Sequence, residues 1–202
     1  MPRLPVDARR EEILRAAIVV LRRQGIAAMT VRDVAAEAGI SSGLIHHYVA
    51  SMDELVAAAF ERVAGEDLAA TRMSLMDVTD PIARLRRLLE SYVGPGDGGS
   101  MQLWLDAWSE AARRPALRRI SRALNEDWQR MLADVLREGA GAGVLTCPDA
   151  EGAAWRILSL LDGLMLQVVA HGDVLTVEQV GQWSRIGTER ELDLLPGTLA
   201  GR

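Results

Sequence analysis

The sequence predicts an all-α protein, and three observations carry that expectation. Almost every apolar run recurs at three- and four-residue spacing instead of alternating. Strand signals, meaning β-branched runs closed by hairpin turns, are almost absent. Cap and turn residues fall at intervals suited to helices. At 202 residues, 49% of them hydrophobic, the chain can bury one sizeable domain or two small ones, and wholesale disorder is excluded.

Nine helices are expected. The first runs from near Asp7 to Gln24 with Ile13, Leu14, Ala17, Val20 and Leu21 on one face, and Gly25 lies past its end. A short second helix carries Val31, Val34, Ala35 and Ala38 and stops at Gly39, where left-handed backbone is cheap. Ser41 then caps a third helix whose inward positions are Leu44, Ile45 and Tyr48. Two short helices joined by so tight a turn form a helix-turn-helix, which offers its second helix to the major groove of DNA.

Ser51-Met52-Asp53-Glu54 reads as a capping box that starts a fourth helix. It buries Leu55, Val56, Ala59, Phe60 and Val63 and reaches about Leu75. Asp80-Pro81 opens the fifth, with Ile82, Leu85, Leu88, Leu89 and Tyr92. Gly94–Gly99 is the clearest loop and is expected to be mobile. The sixth, Met101 to Arg113, bears Leu103, Trp104, Ala107 and Trp108. Pro115 opens a long seventh, with Leu117, Ile120, Leu124, Trp128, Leu132, Val135 and Leu136, ended by the glycines of 139–143. The eighth spans about Asp149 to Ala170, and Thr176-Val-Glu-Gln179 caps the ninth. The tail after Leu195 is expected to fray. No internal repeat or low-complexity segment is present.

All 23 basic residues are arginine, whose planar fork suits phosphate and guanine, although a GC-rich coding bias is the stronger source of that usage. The net charge of −5 argues against an indiscriminate polyanion binder. Its distribution is uneven: residues 1–51 hold seven arginines against five acids (+2), and residues 52–202 hold 16 against 23 (−7). A mildly basic head on an acidic body fits a specific contact at one end.

The lone Cys147 excludes an internal disulfide and points to the reducing cytosol. Ala16–Leu21 is too short for a signal peptide, and Ile157–Ala170, interrupted by Asp162 and Gln167, falls short of a bilayer-spanning run of about 20 residues. A cytoplasmic protein is therefore expected.

On the third helix Ser42, Gly43, His46 and His47 are the candidates for base edges, because small residues let the helix approach and a histidine can donate. Ser41 and Tyr48 belong near phosphates; Ile45 belongs to the core, and the Tyr48 ring serves the core as well. Thr30 and Arg32 open the preceding helix, where backbone amides favour a phosphate, and Arg32 is otherwise an ordinary solvated arginine. His46 and His47 point about 100° apart on a helix and cannot share a metal ion. His171 and Cys147 have no ligand-spaced companions, so neither a metal nor another cofactor is expected. Gly139–Gly143 has no strand before it and breaks dinucleotide spacing, and no nucleophile–base pair is legible. An enzyme is the disfavoured alternative.

From Gly39-Ile-Ser-Ser-Gly-Leu-Ile-His-His-Tyr-Val-Ala-Ser-Met-Asp-Glu-Leu55, and from the layout of a three-helix head on a helical body, the chain resembles the tetracycline-repressor family of bacterial regulators. Glycine, capping serines, aromatic residue and capping box fall in step with that family. Three positions depart: His46 stands for an aromatic, Val49 for phenylalanine, and Met52 for a lysine that grips phosphate. The stretch Leu103–Pro115, with Asp162-Gly-Leu164, is similar to the choline-sensing repressor branch. The resemblance implies a homodimeric transcriptional regulator, a repressor that a small molecule releases from a palindromic operator. Its head would be residues 1–51 and its ligand-binding and dimerisation body residues 52–202.

Within that body Trp104, Trp108 and Trp128 either pack the core or line an effector cavity, as does Trp155. Indole faces favour cations, with Asp106, Glu110 or Asp162 as counter-charge. Ile157, Leu161, Leu164 and Val168, with Val180 and Trp183, either form half of a four-helix dimer interface or are buried within one chain; the resemblance favours the dimer. The contrasting reading keeps the fold and loses the function: a DNA-silent helical ligand-binding or interaction protein.

Overall fold

The computed structural model describes residues 5–93, 99–172 and 174–200. Among them nine helices and no strand are found: α1 Val6–Ala28, α2 Val31–Glu37, α3 Ser42–Tyr48, α4 Met52–Leu75, α5 Pro81–Val93, α6 Gly99–Ala111, α7 Pro115–Gly141, α8 Ala150–His171 and α9 Val177–Glu191. The expected mobile loop falls largely on residues 94–98, outside the described residues. The chain divides into two compact units, one from residues up to Glu66 with Gln102–Leu124, the other from Asp67–Met101 with Asn125 onward.

In the first unit α1 packs against α2 and α3, and α2 against α3. Ile13, Ala17, Val20, Leu21 and Ile26 of the first helix, Val34 and Ala35 of the second and Ile45 of the third are all buried. Regular α-helix stops at Gly25, whose φ of 78° and ψ of 175° belong to glycine alone; one further turn reaches Ala28. Thr30 then caps α2 through a reciprocal box with Asp33, a start signal not among those expected. The helix closes in a Schellman motif, with the Ile40 N–H on the Ala35 carbonyl, the Gly39 N–H on that of Ala36, and φ of 65° at Gly39.

Ser41 occupies the cap position of α3, but its hydroxyl makes no capping bond; its carbonyl accepts from Leu44 N–H instead. Ser51 does cap α4, accepting from Glu54 N–H at 3.1 Å. The Glu54 carboxylate faces Arg119 at 3.6 Å, and its neighbour Asp53 reaches further, accepting from Ala116 N–H at 3.0 Å to cap α7.

In the second unit α8 packs on α9, and α5 touches both. Leu85, Leu88 and Leu89, Ile157, Leu158 and Leu161, and Val180 form its centre. The Thr176 box forms as expected, and Asp149 caps α8 through Gly152 N–H. By length and composition alone α8, at 22 residues longer than the apolar run counted in the sequence, is the one helix among the described residues that could cross a membrane. In this fold a third of its most apolar window is buried.

The tail corrects the expectation of fraying. Leu199 is fully buried, and the buried Glu189 carboxylate accepts from Gly197 N–H at 3.1 Å and Leu199 N–H at 2.7 Å. Arg86 donates to the Thr198 carbonyl at 3.0 Å. Two charged side chains thus satisfy backbone that would otherwise be buried unpaired.

Candidate functional site

Ile45 fixes how α3 is presented. It is the buried residue of that helix, so the opposite side of the short rod is turned outward. Ser41, Gly43, His46 and His47 are exposed, and Ser42 and Tyr48 are half-buried. The His47 and Tyr48 rings meet edge to face, with centroids 5.0 Å apart. Arg10 Nε donates to the Tyr48 carbonyl at 3.2 Å, tying the end of α3 back to α1. A convex helix with small residues at its start and hydrogen-bonding rings at its end has the shape and donors that a major groove accepts.

Around it, Arg32 is exposed and in no ion pair among the described residues, whereas Arg23 pairs with Glu37 at 2.9 Å. Thr30 is exposed, but its hydroxyl is engaged with Asp33, whose carboxylate also accepts from Thr30 N–H and Gln24 Nε2, each at 3.0 Å. Those hydrogen bonds, the Thr30 hydroxyl first, hold the Asp33 carboxyl below its ordinary range. A phosphate contact from Thr30 would have to share that hydroxyl with Asp33. Met52 is half-buried at the start of α4 and brings no charge.

The candidate ligand residues fall into two groups, one in each unit. In the first, Trp104 is buried with its ring edge-on to Phe60 at 5.1 Å and tilted against Trp108 at 5.6 Å. In the second, Trp128 is buried and edge-on to Tyr92 at 5.8 Å, and the Tyr92 hydroxyl donates to the Asp162 carboxylate. Burial raises the Asp162 carboxyl above the usual aspartate range, partly offset by that hydrogen bond. Burial, reinforced by the neighbouring carboxylate, raises the Tyr92 phenol well above its ordinary value.

Of the three expected counter-charges, Glu110 is held by Arg113 and Arg114, and Asp106 accepts from Gln102. Asp162 alone of the three is joined to an aromatic side chain by an observed hydrogen bond. In the sequence Tyr92 sits on the apolar face of its helix, and spacing alone assigns it no role. Its hydroxyl was the available signal, because a buried tyrosine needs a polar partner.

The proposed dimer residues divide, and part of that set is corrected. Ile157, Leu161 and Val180 are buried within the chain, because α8 is apolar nearly all round and its inner side packs on α5 and α9. Leu164 and Val168 are half-buried, and Trp183 is 43% exposed. The outward stripe of α8 instead runs through Trp155, Ser159, Gly163 and Leu166, with Ile186 beside Trp183 on the outer side of α9. Trp155, expected in a core or a cavity, is 41% exposed.

Comparison with known proteins matches residues 13–59 to the tetR family of bacterial regulatory proteins and residues 81–193 to the C-terminal region of BetI-type transcriptional repressors. The chain is similar to the HTH-type transcriptional regulator BetI of Paraburkholderia phymatum, 30% identical over 177 residues, covering 86% of this chain and 88% of that one. It is likewise 30% identical over 171 residues to BetI of Stenotrophomonas maltophilia, covering 83% and 85%. Among solved structures, a transcriptional regulator from Saccharomonospora viridis in complex with choline superposes with a TM-score of 0.81 at 26% identity, covering 92% of this chain and 98% of that one. A TetR transcription regulator from Haloarcula marismortui gives 0.80 at 27% identity, covering 92% and 99%.

Proposed function

This chain belongs to the tetracycline-repressor family of bacterial regulatory proteins, with a BetI-type repressor C-terminal region, and from that premise we propose that it is a homodimeric repressor released from its operator by a quaternary ammonium ligand. It is a DNA-binding transcriptional regulator of the helix-turn-helix type. The observation that carries the specific reading is the outward face of α3, held in place by the buried Ile45. Ser42, Gly43, His46 and His47 read base edges, and Ser41, Tyr48, Thr30 and Arg32 hold phosphates. Residues 1–51 serve as the head and residues 52–202 as the ligand-binding and dimerising body.

Two such heads related by a two-fold axis read a palindrome. The exposed stripe of α8 with Trp183 and Ile186 of α9 is the face on which a second copy docks. The ligand reading is supported by the choline-bound relative and by Asp162 beside Tyr92 and Trp128, a carboxylate next to aromatic rings. Trp104 and Trp108 are ligand candidates on their own helix. Release follows if the ligand favours a dimer geometry that misfits the operator, which requires different affinities in the two states. The protein works in the cytoplasm, where operator and metabolite meet.

The test is fluorescence anisotropy of labelled DNA from upstream of the protein's own gene, with and without choline chloride. Saturable binding that choline reverses, and that His47→Ala with Gly43→Leu abolishes, is the expected result. Equal affinity for unrelated DNA would sink the operator reading, and indifference to choline would sink the ligand.

A further inference from the structure

We propose that the groove between α5 and α9 is a second small-molecule site, built for an aliphatic monocarboxylate. The groove is partly open to solvent and offers about 390 Å³, within the usual ~300–1,000 Å³ of small-molecule sites. Its apolar side is Leu89, Val93 and Val177, and it stays open because Gly181 has no side chain. A β-carbon on Gly181 would lie 3.8 Å from Val93 Cγ1 and 3.4 Å from Arg185 Nη1, so the guanidinium runs along the groove beside the backbone of α9.

Two donors in that groove have nothing to donate to. Arg185 is half-buried and makes no ion pair among the described residues. Next to it, Ser184 is 1% exposed, and its buried hydroxyl has no hydrogen-bond partner among the described residues. Both residues line the trough, and a guanidinium and an unpaired hydroxyl beside an aliphatic wall match a carboxylate on a hydrocarbon stem.

The rim supplies the selectivity. Glu90 and Glu178 are exposed at the groove and oppose any anion, so the one guanidinium can offset a single carboxylate but not the added charge of phosphate or a dicarboxylate. The Asp162 cluster favours cations and this groove an anion, so the two sites would sense ligands of opposite charge.

Calorimetry on the full chain with n-hexanoate, hexylammonium and inorganic phosphate tests the assignment. Saturable hexanoate binding is expected, weakened about tenfold or more by Gly181→Leu, which plugs the groove, and by Arg185→Gln, which removes the charge. Arg185→Gln, which adds no bulk between α5 and α9, should leave the choline response of tryptophan fluorescence unchanged. Ser184→Ala is the control for folding: it stabilises the free protein by deleting an unpaired buried hydroxyl, yet weakens hexanoate severalfold. Hexanoate affinity indifferent to Arg185→Gln and Ser184→Ala, tighter binding of hexylammonium or phosphate, or no saturation at millimolar hexanoate would each overturn the proposal.

Discussion

Oδ2 of Asp106 lies 2.7 Å from the position that a β-carbon on Gly25 would take. The carboxylate of α6 therefore rests against bare backbone at the point where α1 breaks. Two constraints meet at one residue: a φ of 78° with ψ of 175°, and a neighbour that leaves no room. Gly25→Ala should lower stability by about 1–3 kcal/mol through backbone strain alone, with the Asp106 clash added. Urea unfolding of Gly25→Ala and of Gly25→Ala with Asp106→Gly separates the two. A wild-type midpoint in the single variant would contradict the account.

Met52 offers no positive charge at the start of α4, where the family resemblance of residues 39–55 implies a phosphate-gripping lysine. Met52→Lys should tighten operator binding at low salt and steepen the slope of log affinity against log salt by about one unit. Anisotropy titrations at several salt concentrations measure the slope, and equal slopes would show that residue 52 does not reach the phosphates.

Asp162 gives a pH dependence with a definite sign. Burial raises its carboxyl above the ordinary value of about 3.9, so the stability conferred by the neutral form is complete below that value. It is lost as the pH rises through the raised value, where ionisation leaves a charge on a partly buried group. Asp162→Asn, which still accepts from Tyr92, should therefore raise the melting temperature at pH 7 but not below about pH 4. Affinity for a cationic ligand should run the other way, growing as Asp162 ionises and vanishing in the variant. A melting gain that is the same at both pH values would refute the burial argument.

Gly163 is exposed on the outer stripe of α8, and a β-carbon there would meet nothing within 4 Å. Gly163→Glu should leave the single chain folded, and even favour its helix, while placing like charges together if two copies meet on this face. Sedimentation should then show a monomer with wild-type helicity. A persistent dimer would move the interface elsewhere.

The helices were legible in the sequence because their signals are local. Ser51, Asp80-Pro81, Asp149 and Thr176 mark starts within four residues, and Gly25 and Gly39 mark stops. The outward face of α3 followed from the period that sends Ile45 inward. What stayed hidden depends on which distant element covers a side chain. The apolar period of α8 could not say that Ile157 and Leu161 are buried within the chain itself. Tyr92 and Asp162, 70 residues apart, carry no spacing that announces their bond. The tail read as fraying because Pro196 and Gly197 look like loop; Glu189, which holds it, lies on the preceding helix.

α9 is anchored at both ends, by the Thr176–Gln179 box at its start and by the Glu189 clasp beyond its finish. A rod secured in this way does not absorb a push by unwinding a terminal turn. Whatever displaces α5, on which it rests, shifts the whole rod, and with it the alignment of Trp183 and Ile186. Ends tied down in this way favour a shift of the rod over fraying of its termini.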